Sequence, residues 1–429
     1  MKLAVRRLDR WVRIVLPVEN ARYLIVGGGL AGGSAVEAIR ARDREGRIVL
    51  VSDERHLPCD RVPRSKEYLM EKIGRDSLFL QQKEFCEEQR VEVLLGRRVL
   101  RLDVDRRTAF LHDGGELEFD RLLLATGGRA RRLSIPGNDL PGIHYLRTID
   151  DSEALQTAIS KARRAVVIGG GFIGCEIAAA CVRKRLDATI IEVGPSLLSA
   201  ALDSETAQWI TEYLARQGIH VLVNERAARF VEADGRVAGV ETKTGTQVLG
   251  DFAAVGIGIA PNVELAQEAG LKVENGIVVD ERLRADAADV YAAGDVARFY
   301  SPVFDKHLRV GHYDVAVKHG AIAGASMAGG DETFAELPYF FSFMFKLRTE
   351  LWGDPTQRDT VIRRGSLELS EKGGFAQFYL NGDRIQAYLS VNRPSMEAQA
   401  AQELILKRQR IENASVLADE SRDLSALRK

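Results

Sequence analysis

Residues 23–34, YLIVGGGLAGGS, decide the fold, and residues 165–176, AVVIGGGFIGCE, repeat the decision. Each stretch is an apolar strand, Tyr23–Val26 or Ala165–Ile168, running into G-x-G-x-x-G and then into an alanine-rich segment. The first glycine of such a motif permits a tight turn from strand to helix, and the second lets backbone approach a pyrophosphate. The third lets the helix pack on the strand, and the helix N-terminus offers its free N–H groups to the phosphates. Gly27, Gly29 and Gly32 hold these places in the first motif, and Gly169, Gly171 and Gly174 in the second. An acid ends the next apolar run in both cases: Asp53 in RIVLVSD and Glu192 in DATIIE. At about 20 residues from the glycines, such a carboxylate can accept from a ribose hydroxyl pair. One glycine-rich turn can be purely structural. Two, each set between strand and helix with its own acid, imply two bound dinucleotides.

Composition agrees with this reading and excludes others. A chain of 429 residues suits two or three domains. Hydrophobic residues make up 45%, enough for sizeable cores, and a net charge of -1 argues against nucleic acid as a partner. No apolar run approaches the ~18 residues of a membrane span. Cys59, Cys86, Cys175 and Cys181 form no CxxC or other close pair, so a disulfide scaffold, a zinc site and an iron–sulfur cluster lack support. The expected compartment is a reducing cytoplasm. Residues 1–19 read as an extension. Arg6, Arg7, Arg10, Arg13 and Trp11 give it a basic, interfacial character, but it lacks the apolar region and cleavage site of a signal peptide.

Outward from the first motif the pattern runs helix (34–42), strand (47–51), then a hairpin turn at Asp113-Gly114-Gly115. The strand DRLLLATGG follows. The second motif repeats strand, glycine turn, helix and strand, then predicts a helix over 204–216 and a buried strand in DFAAVGIGIAPN. The run IVVDERLRADAADVYAAGD ends a strand at Gly294-Asp295, and an acid at such a strand end lies where open α/β sheets bind ligands. Beyond about Asp331, YFFSFMF is dense in aromatics, Asn381-Gly382 signals a hairpin, and a helix is predicted over 396–408. The fold class is therefore α/β, with two Rossmann-like dinucleotide-binding domains, one inserted in the other, and a C-terminal α+β domain built on an antiparallel sheet. The boundaries read as 20–147 with 270–330 for the first domain, 148–269 for the second and 331–429 for the third.

The order GGGLAGG, SDERHLPCDRVPRSK, ATGG, GGGFIGCE, VGIGIAPN and YAAGDVA resembles the FAD- and NAD-dependent ferredoxin reductases, those of Rieske-type oxygenase systems and putidaredoxin reductase among them. YFFSFMFKLRTELWGD extends the likeness to monodehydroascorbate reductases, and apoptosis-inducing factor is a further relative. The resemblance covers the chain from about Ala21 onward. It implies that Gly27, Gly29, Leu30, Ala31 and Gly32 cradle the FAD pyrophosphate and that Asp53 binds the adenosine ribose. Arg61 and Lys66 would lie along the flavin, with Val99, Ala125, Thr126, Gly127 and Arg131 lining the groove. Gly294 and Asp295 would hold the ribityl chain or pyrophosphate, and Tyr313 and Phe341 would sit beside the isoalloxazine. For NADH the matching positions are Gly169, Gly171, Ile173, Gly174, Glu176, Glu192 and Gly258. Lys66 and Glu176 are the expected catalytic residues, since a cation beside the flavin favours its anionic reduced form. The carboxylate at Glu192, followed by VGPSLLS without Lys or Arg, implies NADH rather than NADPH.

The chain also departs from the pattern. Cys59 stands for tyrosine, Val62 for proline, Arg64 for leucine, Gly311 for glutamate and Phe343 for aspartate. The loss of two acids near the flavin should alter its potential or partner rather than its binding. Tyr339, Phe340 and Phe343 read most simply as a buried core strand, and Cys175 and Cys181 as small buried hydrophobes. The resulting expectation is an NADH-dependent reductase passing electrons through FAD to a ferredoxin- or rubredoxin-like carrier, as monomer or homodimer. Alternatives are an NADH oxidase, a quinone or monodehydroascorbate-type reductase, or a redox-sensing protein like apoptosis-inducing factor.

Overall fold

A computed structural model describes residues 19–80, 83–370 and 373–427; the basic N-terminal stretch lies outside the described residues. The first motif grows from a sheet with the order Val91–Leu95, Ile48–Ser52, Glu19–Val26, Glu116–Leu124, Thr108–Leu111, Val99–Asp103. Val290–Ala292 joins it from far along the chain, parallel to Glu116–Leu124. Ile48–Ser52 is buried throughout, as strands covered by helices on both faces must be. Four parallel strands end at one level: Val26 pairs with Val51 and Leu124, and Leu124 with Ala292. The residues that follow those ends, Gly27, Asp53, Ala125 and Gly294, therefore converge.

The second motif grows from a fully parallel sheet, ordered Ile219–Leu222, Asp187–Ile191, Arg164–Ile168, Phe252–Val255, Ile143–Tyr145. Ile143–Tyr145 falls before residue 148, yet it pairs with Phe252–Val255 in this second sheet. A two-stranded link, Gly128–Ala130 with Ile259–Pro261, ties the two units together. The helix expected over 204–216 is Ser204–Arg216, capped by Asp203, whose carboxylate accepts from the Thr206 N–H.

The C-terminal sheet is antiparallel throughout, ordered Tyr339–Met344, Leu347–Gly353, Arg384–Val391, Gly373–Asn381, Thr360–Ser370, with helix Ser395–Leu406 packed against Arg384–Val391. Its core runs into that of the second unit: the ring of Trp209 meets Phe375 edge-on at 5.0 Å, and its Nε1 donates to the Leu367 carbonyl at 2.8 Å. The buried-strand reading of YFFSFMF needs correction. Ser342 and Met344 are the buried residues, Tyr339 and Phe340 are half-buried, and Phe343 is 48% exposed. A strand turns alternate residues to opposite faces, and only the Ser342–Met344 face meets the core here.

Candidate functional site

At the shared strand ends opens a cavity of about 530 Å³. Gly27 lies at φ +128°, and a Cβ there would sit 2.1 Å from the Ala125 carbonyl oxygen; one on Gly32 would sit 2.0 Å from that of Gly27. Both positions are closed to side chains by the turn itself. Gly29 differs. It caps the helix Leu30–Arg42 at φ −96°, and the atom nearest to a Cβ there is Arg61 Nη2 at 3.7 Å. Its bare face looks into the cavity, beside N–H groups that the helix leaves free.

Gly27, Gly29, Leu30, Ala31, Asp53 and Arg61 line this cavity, as do Val99, Ala125, Thr126, Gly127, Gly294 and Asp295. Asp53 follows directly on its strand, with its side chain 58% exposed and 3.2 Å from Arg98. Glu54, next to it, turns inward and pairs with Arg61 at 2.6 Å. Burial alone would raise the Glu54 carboxyl, but Arg61, Arg64 and Arg147 outweigh it and hold the group below the usual carboxylate range. Asp295 pairs with Arg147 at 2.7 Å.

The sequence reading chose Asp53 over Glu54 and gave Arg147 no role, yet Glu54 and Arg147 both line the cavity. Arg147 immediately precedes the Thr148–Asp151 capping box, so it leaves a strand end just as a helix begins. That placement was the available signal. Asn262 was also missed: it exchanges 2.8 Å hydrogen bonds with Thr126, receiving from Oγ1 at its carbonyl and donating from Nδ2 to the Thr126 carbonyl.

Lys66 lies outside the cavity lining, as do Arg131, Tyr313 and Phe341. Arg131 is exposed just past the two-stranded link, bonded to Gly258 and Ile259 through their carbonyls. Lys66 is no solvated loop lysine. Its Nζ sits 2.7 Å from Glu176 Oε1, with 11% of the lysine side chain and 2% of the glutamate side chain exposed. Ser65 Oγ donates to Glu176 at 2.5 Å and Ser342 Oγ at 2.6 Å, so the buried carboxylate has three donors. The two residues expected to be catalytic thus form one ion pair, where the segment 61–66, the second-motif helix and the C-terminal sheet meet. Phe341 lies next to it, 5.8 Å from Lys66 Nζ to ring centre.

In the second cradle Gly169 takes φ +103°, and a Cβ there would meet the Gly256 carbonyl oxygen at 2.5 Å. A Cβ on Gly174 would meet that of Gly169 at 2.0 Å, and Gly171, the helix cap, has open space around it. Glu192 accepts from the N–H groups of Gly170 (2.5 Å) and Gly194 (2.6 Å), which fixes both carboxylate oxygens. Ile173 is 42% exposed in the first helical turn. Phe172 beside it packs on Phe340 at 4.1 Å, and His312 on the same ring at 5.1 Å. Tyr313, 36% exposed, begins the helix Tyr313–Met327. Burial pushes His312 down to about 4, so its ring is neutral at physiological pH.

All four cysteines are buried and unbridged. Burial pushes the Cys181 thiol up to about 12 and raises Cys175 too, whose thiol donates to the Gly170 carbonyl. Neither is a nucleophile at neutral pH.

A family model described as pyridine nucleotide-disulphide oxidoreductase matches residues 21–320, and one described as reductase C-terminal matches residues 339–428. Rhodocoxin reductase of Rhodococcus erythropolis is 36% identical over 371 residues, 86% of each chain. Putidaredoxin reductase of Pseudomonas putida is 33% identical over 407 residues, 94% of this chain and 95% of the relative. Among solved structures, the covalent putidaredoxin reductase–putidaredoxin complex superposes with a TM-score of 0.90 at 32% identity, covering 95% of this chain and 98% of that one. Two glycine cradles on two parallel sheets, followed by an antiparallel C-terminal sheet, thus coincide with a match over most of the sequence: the chain belongs to the pyridine nucleotide-disulphide oxidoreductase family.

Proposed function

We propose that the chain is an NADH-dependent reductase that holds FAD in the first cavity and passes electrons to a ferredoxin- or rubredoxin-like carrier. The observation that carries this reading is the pair of cradles, each with an open glycine cap, joined through the buried Lys66–Glu176 pair. The relatives' names agree: they include a rubredoxin-NAD(+) reductase of Pseudomonas putida and the ferredoxin–NAD(+) reductase component of an anthranilate 1,2-dioxygenase system.

The residues present fit the cofactor. A Cβ at Gly27 or Gly32 is excluded by backbone, while Gly29 leaves open space where a pyrophosphate would approach the helix N-terminus. Asp53 would take the adenosine ribose, and Asp295 with Arg147 the ribityl or pyrophosphate end. Bound there, FAD supplies hydride acceptance from nicotinamide and release of electrons to a one-electron carrier. Gly171 and the helix Phe172–Arg183 would hold the NADH phosphates, and Glu192 its ribose. Lys66, fixed by Glu176, would present its charge to the flavin side, and Phe172, Phe340 and His312 would keep water from the junction between the cradles. With no close cysteine pair among the described residues, the electrons have no dithiol to pass through. Residues 20–147 and 270–330 would form the FAD-binding part, 148–269 the NAD-binding part and 331–429 the C-terminal domain, with Ile143–Tyr145 moved to the second part because it pairs there.

No helix among the described residues is long and apolar enough to cross a membrane, and the cytoplasm is the proposed location. The test is steady-state oxidation of NADH by the purified yellow protein. Cytochrome c reduction should depend on an added ferredoxin or rubredoxin; turnover at the same rate with oxygen or quinone alone would reject the carrier reading.

A further inference from the structure

Cys59 and Arg64 depart separately from the family pattern, and nothing in the proposed reaction uses either. In the fold they touch: Arg64 Nη2 donates to Cys59 Sγ at 2.6 Å, and each residue is 1% exposed. A cysteine in place of tyrosine leaves the room that a guanidinium needs. Arg64 Nη1 donates to the Arg147 carbonyl at 2.6 Å, and Arg61 Nη1 reaches the same oxygen at 2.9 Å. Three arginines thus cluster: Arg61 and Arg147, half-buried, line the first cavity, and Arg64, fully buried, lies beside them outside its lining. Two are neutralised, Arg61 by Glu54 and Arg147 by Asp295. Arg64 has no such contact: among the described residues no carboxylate lies within ion-pair distance of it, Glu54 and Asp60 act on it only from farther off, and its Nε has no acceptor.

A buried cation without a counter-charge in contact is costly, and the cost falls when an anion comes near. The neighbouring Arg61 guanidinium is the group closest to the open face of Gly29, so the cluster borders the place where the first cradle would receive phosphate. We propose that Arg64 is a positioning residue toward FAD: its buried charge, carried beside Arg61 and Arg147, stabilises the cofactor's more negative, reduced state and raises the flavin potential. The proposal rests on the FAD reading above. Asp295 and Glu54 are already committed to the other two guanidinium groups, which leaves Arg64 as the member of the cluster whose field is not cancelled by a contacting carboxylate.

The test is a potentiometric titration of bound flavin in the whole chain. Arg64→Met removes the charge with little loss of bulk, and Arg64→Lys keeps the charge. The Met variant should bind reduced flavin at least tenfold less tightly relative to oxidised flavin, a fall of about 30 mV for a two-electron couple. The Lys variant should keep the wild-type potential. Should Arg64→Met fail to fold, the double variant Cys59→Tyr/Arg64→Leu, which restores the residues the family carries, should show the same fall. Equal potentials in wild type and the neutral variant overturn the proposal and leave the cofactor reading standing, as does an equal fall in Met and Lys variants, which would assign the effect to packing. A wild-type chain that binds no flavin overturns both.

Discussion

The Lys66–Glu176 pair gives the sharpest quantitative test. Removing the ammonium with Lys66→Met leaves a carboxylate that is 2% exposed with only two serine hydroxyls as donors. At 2.7 Å and an effective dielectric of about 20, the direct attraction is about 6 kcal/mol before desolvation is counted. Truncating one partner of a buried pair costs ~3–5 kcal/mol in practice, because the other charge stays buried and unpaired. Lys66→Met should therefore lose about that much stability, while Lys66→Met/Glu176→Gln, which removes both charges, should recover at least half of it. Urea denaturation followed by tryptophan fluorescence measures the four corners of this cycle, since Trp209 packs between the second unit and the C-terminal sheet. FAD should stay bound in every variant, because the cradle proposed for it lies at Gly27–Gly32, whereas reduction by NADH should slow in Lys66→Met and the flavin potential should fall. A coupling below about 1 kcal/mol, the range of exposed pairs, would refute the buried-pair reasoning. Unchanged potential and unchanged reduction kinetics would remove Lys66 from the site.

The two cradles can be separated by single substitutions. Gly29→Val meets no backbone within 4 Å, so the protein should fold yet lose FAD, read by the flavin absorbance of the purified chain; full occupancy would disprove the assignment. Gly171→Val, in equally open surroundings, should keep FAD and weaken NADH binding in stopped-flow reduction. NADPH should reduce the flavin at least about a hundredfold less efficiently than NADH, since a 2′-phosphate against the fixed Glu192 carboxylate costs several kcal/mol; equal efficiency would sink that reading. Burial pushes His319, packed among Phe299 and Phe334 with both ring nitrogens unpartnered, down to about 3. The unfolded chain takes up that proton below its ordinary value of 6.5 and the folded chain does not until about 3, so stability falls as pH drops between the two. At pH 5 this amounts to about 2 kcal/mol, which His319→Phe should remove, seen as a shallower fall of the unfolding midpoint from pH 7 to pH 5.

The architecture was legible because its parallel sheets write themselves as local signals. A continuously apolar strand, a glycine turn and a helix fall within about 20 residues, and each motif carries all three. The short strand Ile143–Tyr145 gave no such signal: three half-buried residues have no readable period, and only pairing with Phe252–Val255 assigns them. The aromatic run failed for a different reason. Composition suggested a core strand, but alternation gave the core face to Ser342 and Met344 and turned Tyr339, Phe341 and Phe343 the other way.

The site was legible one residue at a time and not as a set of partners. Lys66 and Glu176 were each expected from their own motif, 110 positions apart, and only the fold makes them one ion pair. Glu54 and Arg147 were not expected because charged residues are usually exposed; they are enclosed here because each has a counter-charge in place, Arg61 and Asp295. A residue whose burial depends on a distant partner cannot announce itself in its own neighbourhood. Ser342 makes the same point about the C-terminal sheet. Its hydroxyl reaches Glu176, so that sheet belongs to the site's hydrogen bonding and does more than support it. A substitution in that sheet can then reach the Lys66 charge through a single side chain, whereas Asp53, 58% exposed and paired among the described residues with Arg98 alone, stands apart from the Glu176 network and should bind the ribose proposed for it independently of that network.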